Sequence, residues 1–316
     1  MKVLVTGGAG FIGMHTASTL IELGYEVHIA DLLHSYYSLE RKNIHLQQIE
    51  KTGKFHFCRV DLTDRKATAE LFTAVKPDAV IHLAALPGVA YSLEEPLLYV
   101  DYDVKATINV LEAAGKSDVK KVVFASSSSV YGDQPGKPLK EEMANGQVIS
   151  PYAASKWSAE SFCHVYASLY SYSVSILRFF TVYGPWGRPD MAIAKFIKLA
   201  MNGQPVEIYG QGSGRDYTYV DDIVNGIVLS LTDEKPFEIW NVGAGHPVLM
   251  SRLLERLKMY FPALEVQIKG HRTGDVTSTW ADISKMTKDK SYRPTVSIEE
   301  GLERTIKWAY ENKEYL

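Results

Sequence analysis

Apolar positions in the first half of the chain fall into short continuous runs, separated by longer segments whose apolar residues recur at helical spacing. Residues 3–6, 25–30, 55–60, 79–83 and 121–125 are the runs. Each is too short for a buried helix and carries β-branched or aromatic residues, so each reads as a strand. Strand alternating with helix predicts a parallel sheet wound in both directions, with helices packed on either side. Past residue 176 the pattern changes. Residues 176–192 begin as a strand and become a loop dense in Gly, Pro and aromatic residues, suited to closing a pocket.

The first run leads into Gly7-Gly8-Ala9-Gly10-Phe11-Ile12-Gly13, and then into a periodic segment ending at Leu23-Gly24, where Gly24 reads as a helix C-cap. Strand, glycine turn and helix together form a phosphate cradle. The glycines let the backbone turn and approach a pyrophosphate, and the helix start offers its free amides. Gly7, Gly10, Phe11, Ile12 and Gly13 are therefore candidate cofactor residues. The second run ends in Asp31, a carboxylate placed to accept from adenosine ribose hydroxyls and to repel a 2′-phosphate, which favours NAD over NADP. Asp61-Leu62 follows the third run and Ala84-Ala85 the fourth. Leu62 and Ala84 suit the walls of a cofactor crevice at the carboxyl edge of the sheet. Asp61 reads equally well as an adenine neighbour or as a local cap, and His82 as a satisfied strand residue.

Ser126-Ser127-Ser128-Ser129 ends the fifth run at the same edge. Serines there can donate to an alcohol or ketone oxygen while staying uncharged. Ser127 is the expected partner of a reacting oxygen, with Ser128 and Ser129 free for a neighbouring group. Tyr152 and Lys156 stand four apart in a helix-forming stretch, which puts both on one helix face. A phenol is a poor base at neutral pH, and an ammonium beside it favours the ionised form.

Composition narrows the partners. The 316 residues are 46% hydrophobic and 22% charged, ordinary for a folded protein, and Lys+Arg 34 against Asp+Glu 37 leaves a net charge of -3. Nothing in that balance draws nucleic acid or an anionic membrane surface, so any phosphate must be held locally. Cys58 and Cys163 lie far apart, without metal-ligand Cys/His spacing, and are expected as reduced thiols with no structural metal. There is no secretory leader pattern at the start, and no run approaches the roughly 18 apolar residues of a membrane span. The expectation is a cytoplasmic protein.

With glycine turn, serine cluster and Tyr152/Lys156 in place, the chain resembles the extended short-chain dehydrogenase/reductase superfamily over essentially its whole length. The resemblance implies a doubly wound parallel Rossmann sheet with a smaller C-terminal α/β substrate lobe. It divides the chain into residues 1–178, rejoined by about 217–243, and the remainder of 179–316. It further implies that Tyr152 is the base, that Lys156 reaches the nicotinamide ribose, and that Ser127 is the third catalytic member. Residues 176–192 look like the signature of UDP-glucuronate 4-epimerases, where Thr181 replaces the Asn usual in enzymes of neutral UDP-hexoses. Thr181 and Arg188 suit a sugar carboxylate, although Arg188 also reads as a loop-locking partner of Asp190. Arg215 resembles a diphosphate-gripping arginine. Arg272 resembles a second one, and Asp275 a uridine-ribose acceptor. Asp221-Asp222 reads as a cap on the following helix.

Dehydrating relatives carry Asp-Glu where this chain has Ser128-Ser129, and decarboxylating relatives usually carry Glu at the latter position. The implied reaction is NAD-dependent C4 epimerisation of UDP-glucuronate to UDP-galacturonate through a 4-keto sugar, with decarboxylation suppressed. A neutral-hexose 4-epimerase, a UDP-glucuronate decarboxylase and a non-catalytic NAD-binding sensor are the alternatives. Departures from the pattern are Ala90 in place of Arg, Pro87 before it, and Asp103 in place of Asn. Family resemblance also implies a homodimer joined through helices starting near Val104 and Ala153.

Overall fold

The computed structural model describes residues 1–36, 38–209, 212–270 and 274–316. Six strands in chain order are β1 (Lys2–Thr6), β2 (Glu26–Asp31), β3 (His56–Arg59), β4 (Ala79–His82), β5 (Lys121–Ser127) and β6 (Ser173–Phe179). A later strand, Phe237–Val242, pairs with β6 and completes a seven-stranded sheet. From that strand the order runs through β6, β5, β4, β1 and β2 to β3, with every neighbouring pair parallel. The winding direction reverses between β1 and β4, so the carboxyl ends of those two strands splay and open a crevice. This is the doubly wound Rossmann arrangement.

Burial follows the hydrophobic pattern. Every residue of β4 and β5 is buried, and alternate residues of β1 serve opposite cores. Val3 and Val5 pack with the helix Phe11–Glu22 on one face, while Leu4 packs with the helices Arg65–Val75, Ala106–Lys116 and Pro151–Tyr170 on the other. Each such side chain removed from water contributes about 1.5–3 kcal/mol. β3 is the sheet's margin, and His56, Phe57 and Arg59 on it are exposed. Beyond β6, Thr181–Tyr183 pairs with Tyr217–Tyr219, and Val206–Tyr209 pairs with Val266–Lys269. Among the described residues, no helix is long and apolar enough to cross a membrane.

Three local features differ from the sequence expectation. β5 continues through Ser126 and Ser127, which pair with Arg178 and Phe179, so those two serines sit on rigid strand and only Ser128 begins the turn. The helix expected to start near Val104 is preceded by a wide π turn, Val100–Lys105, and becomes regular at Ala106. Asp221 and Asp222 do not cap their own helix, which begins at Val220 without a side-chain cap. Instead the Asp222 carboxylate accepts from the Thr295 and Val296 amides, and Asp221 faces Arg304 at 3.5 Å.

Candidate active site

One cavity of about 730 Å³ runs along the carboxyl edge of the sheet. At its β1–β4 end the backbone is cut to fit a ligand. Gly7 has φ +70°, and a Cβ there would lie 2.7 Å from the Ala84 amide nitrogen; a Cβ on Gly13 would lie 2.2 Å from the Gly7 carbonyl oxygen. Only glycine keeps strand, turn and helix this close. Gly10, Phe11, Ile12, Asp31, Asp61, Leu62 and Ala84 line the same end. The Asp31 carboxylate accepts from the Ala9 and Leu33 amides at 3.1 and 2.7 Å, which fixes it at the tip of β2. Asp61 accepts from the Thr63 amide and hydroxyl, so it caps its own turn while it also faces the cavity. This end fits a dinucleotide: a backbone cradle for the pyrophosphate, a carboxylate for a ribose and Leu62 as an apolar wall.

Lys42 was not foreseen. Its Nζ lies 3.7 Å from Asp31 Oδ1, with both side chains buried. Burial lowers its pKa and Asp31 opposes that. The ammonium offsets part of the repulsion that Asp31 alone would exert on a 2′-phosphate.

Mid-cavity, the end of β5 meets the start of the helix Pro151–Tyr170. Ser150 caps that helix through the Ala153 amide and Pro151 occupies its first turn, which aims Tyr152 and Lys156 into the cavity. Lys156 is 5% exposed; its Nζ donates to the Ala125 carbonyl at 3.1 Å and lies 5.3 Å from the Phe124 ring centroid. Tyr152 meets Tyr99 edge-on, with centroids 6.0 Å apart, and Tyr99 is itself pinned to the Pro87 and Gly88 carbonyls. Ser127 Oγ is 3.1 Å from Ser129 Oγ and accepts from the Ser129 amide at 3.2 Å. Ser128 completes the polar wall. Beneath the serines, Arg178 and Glu160 form a buried two-pronged ion pair at 2.9 and 2.7 Å, and Glu160 also accepts from Ser126. His82 is satisfied as expected: Thr6 and Thr107 hydroxyls meet its two ring nitrogens at 2.6 and 3.0 Å, and burial pushes its pKa down to about 3.

At the far end, Thr181, Arg188, Arg215 and Asp275 line the cavity. Arg188 makes a two-pronged pair with Asp190, and its guanidinium carbon lies 5.9 Å from the Tyr36 ring centroid. Desolvation works against the Arg188 charge, and Asp190, with Tyr36 and Tyr152 behind it, more than offsets it. The loop lock is thus formed, on a guanidinium that also faces the cavity. Arg215 donates to the Thr277 and Val276 carbonyls, so it fastens the segment carrying Asp275. Arg272 lies outside the described residues. Tyr36, which shares the wall with Arg188 and Asp190, carries no motif that marks it in the sequence.

Asp103, read as a mere departure, is buried in the π turn. It accepts from the Leu86 amide and the Ser155 hydroxyl, both at 2.8 Å. Burial raises its pKa, and the Lys156 charge works in the opposite sense. The carboxylate joins the loop after β4 to the helix that carries Tyr152 and Lys156.

Comparison with known proteins bears on this site directly. The chain is 42% identical over 319 residues to a UDP-glucuronate 4-epimerase of Thermodesulfobacterium geofontis, covering 99% of this chain and 97% of the relative. The crystal structure of a Bacillus cereus UDP-glucuronic acid 4-epimerase in complex with UDP-glucuronic acid and NAD is 34% identical with a TM-score of 0.92, over 98% of this chain and 99% of that one. A UDP-glucose 4-epimerase of Thermotoga maritima with UDP-glucose is 32% identical with a TM-score of 0.90, over 99% of this chain and 100% of that one. Residues 3–243, from the first strand through the last strand of the large sheet, match the family model for NAD dependent epimerases and dehydratases. With the glycine cradle, the Ser127 wall and the Tyr152/Lys156 helix all inside that span, the chain belongs to the NAD dependent epimerase/dehydratase family.

Proposed function

We propose that the protein interconverts UDP-glucuronate and UDP-galacturonate by inversion at C4. The observation that carries this reading is one continuous cavity in which a dinucleotide cradle meets Tyr152, Lys156 and three serines, with hydroxyls rather than carboxylates at 128 and 129. Similarity to UDP-glucuronate 4-epimerases at both sequence and structure level supports it. Bound NAD supplies reversible oxidation at C4 and is held in this reading by Gly7, Gly10, Phe11, Ile12, Gly13, Asp31, Asp61, Leu62, Ala84, Tyr152 and Lys156.

Tyr152 takes the proton of the C4 hydroxyl and later returns it. Lys156, buried and fixed on the Ala125 carbonyl, stabilises the phenolate without leaving its place. Ser127 steadies the C4 oxygen, because its own oxygen is oriented by the Ser129 amide. The 4-keto acid formed in between loses carbon dioxide when its carboxylate is poorly solvated and aligned with the carbonyl π-system. Ser128, Ser129, Thr181 and Arg188 hydrogen-bond that carboxylate, stabilise its charge and fix its torsion, while Arg215, Arg272 and Asp275 take the UDP.

A neutral UDP-hexose is the competing substrate, favoured by two features: Arg188 is already engaged by Asp190, and position 90 carries Ala. We divide the chain into an NAD-binding lobe of residues 1–178, rejoined by about 217–243, and a UDP-sugar lobe from the rest of 179–316; the pairing of Phe237–Val242 with β6 supports this. We also propose a cytoplasmic homodimer. Exposed Leu97, Val100, Val165 and Leu169, on or beside the helices expected to pair, support the association.

Incubation with UDP-glucuronate, followed by NMR, tests the reading. UDP-galacturonate without added NAD supports it. UDP-pentose would identify a decarboxylase, and turnover of UDP-glucose alone would remove the carboxylate assignment.

A further inference from the structure

The parallel register of β2 and β3 sets His28 directly opposite His56 at the margin of the sheet. Glu26 stands two residues before His28 on the same strand and projects from the same face. The two imidazoles stack with centroids 4.5 Å apart and planes 21° from parallel. His28 Nε2 lies 3.0 Å from Glu26 Oε1. One potential ligand atom from each of the three residues lies within 4.8 Å of the other two. Glu26 and His56 are exposed, whereas the His28 side chain is mostly covered. None of the three lines the active-site cavity, and the proposed reaction uses none of them.

Two imidazoles and one carboxylate are the donor set of zinc and its transition-metal neighbours, and a poor one for Mg²⁺ or Ca²⁺. Ligand atoms about 2.1 Å from one ion lie about 3.0–3.4 Å apart. The Glu26–His28 pair already has that spacing. His56 has to close by at most about 1.5 Å, within reach of side-chain rotation in an exposed residue. Lys2 Nζ sits 3.6 Å from Glu26 Oε1 and competes for the carboxylate. It is a single charge on a flexible stem, and a coordinated dication displaces it.

We propose that Glu26, His28 and His56 form a binding site for a divalent transition metal ion of the zinc type, clamping β3 to β2. Water completes the coordination. A strand at the margin of a sheet has ladder bonds on one side only, and β3 runs straight on toward Asp61 and Leu62. An ion at its start therefore anchors the segment that presents those two residues to the cavity. Linear spacing conceals the site, because its ligands come from two strands brought side by side by the winding of the sheet.

The test uses the full chain, without an affinity tag and stripped with a chelator. Calorimetric titration with Zn²⁺ is expected to give one ion per chain with micromolar affinity, and Co²⁺ a visible spectrum of mixed nitrogen and oxygen ligation. His56→Ala, at an exposed position, should weaken Zn²⁺ more than the roughly tenfold to hundredfold that follows loss of a mere supporting partner, and Glu26→Gln should also weaken it. Zn²⁺ should raise the melting temperature of the parent and leave that of His56→Ala unchanged. Nucleotide-sugar turnover of metal-free His56→Ala should equal that of the parent, which keeps this proposal separable from the assignment of the reaction. Zn²⁺ binding that survives His56→Ala, Mg²⁺ bound as tightly as Zn²⁺, or no binding below millimolar Zn²⁺ would each overturn it.

Discussion

Arg188 decides whether the cavity is built for an acid sugar, and its substitution gives a quantitative answer. Its side chain is 18% exposed, and the guanidinium already shares two hydrogen bonds with Asp190. A charge-assisted contact to a substrate carboxylate is worth about 1.5–3 kcal/mol. Because Asp190 neutralises Arg188 in part, the lower end applies. Arg188→Ala should therefore lower kcat/KM for UDP-glucuronate by about tenfold to fortyfold, and that for UDP-glucose by far less. Asp190→Asn keeps an acceptor for Arg188 Nε and removes the competing charge. Asp190 is 42% exposed, so the gain is that of a screened pair, about 0.2–1 kcal/mol, or roughly 1.4- to 5-fold in kcat/KM for the acid. The assay is initial-rate kinetics on both nucleotide sugars, with products followed by NMR. If Arg188→Ala depresses both substrates by the same factor, the pair with Asp190 is only a loop lock, and the carboxylate lies elsewhere.

Tyr152→Phe should abolish conversion and leave dinucleotide affinity nearly unchanged by calorimetry; substantial residual turnover would require another base. Glu160→Gln leaves the Arg178 charge buried without its partner, at a cost of about 3–5 kcal/mol, measured as a lower urea midpoint; an unchanged midpoint would mean the pair contributes nothing. Burial holds both His45 and His82 down at about 3, against an ordinary value of 6.5. Between those values the unfolded chain binds more protons, so stability is full above about pH 6.5 and falls toward pH 3, by up to about 1.4 kcal/mol per pH unit for each histidine. Urea midpoints at pH 7 and 5 check this, and a flat response would refute it.

Much of the large sheet was legible because its inner strands are almost wholly buried, and such burial writes apolar runs rich in Val into the sequence. The glycine turn was legible for a related reason: Gly13 stands where any side chain would strike the Gly7 carbonyl. The margin of the sheet was harder. Residues 55–60 read as one more strand of the same kind, yet only His56–Arg59 pairs, and most of that stretch faces water. Periodicity does not report which strand lies outermost.

What stayed hidden was polar pairing across long chain separations. Asp103 lies 17 residues from Leu86 and 52 from Ser155; in the sequence it is one acidic residue ahead of a helix, and in the fold it ties two walls of the cavity together. Arg188 illustrates the same point from the opposite side. Its type and its loop announced a carboxylate, and Asp190, two residues on, announced a rival for it; the pair with Asp190 is formed in the structure, and a guanidinium has further N–H groups for the proposed ligand. Residue type therefore specifies what chemistry a position is able to do, and packing specifies how much of that capacity the protein has already used. For Asp103 packing uses both carboxylate oxygens, which makes it a brace. For Arg188 the capacity left over is what the comparison of acid and neutral substrates measures.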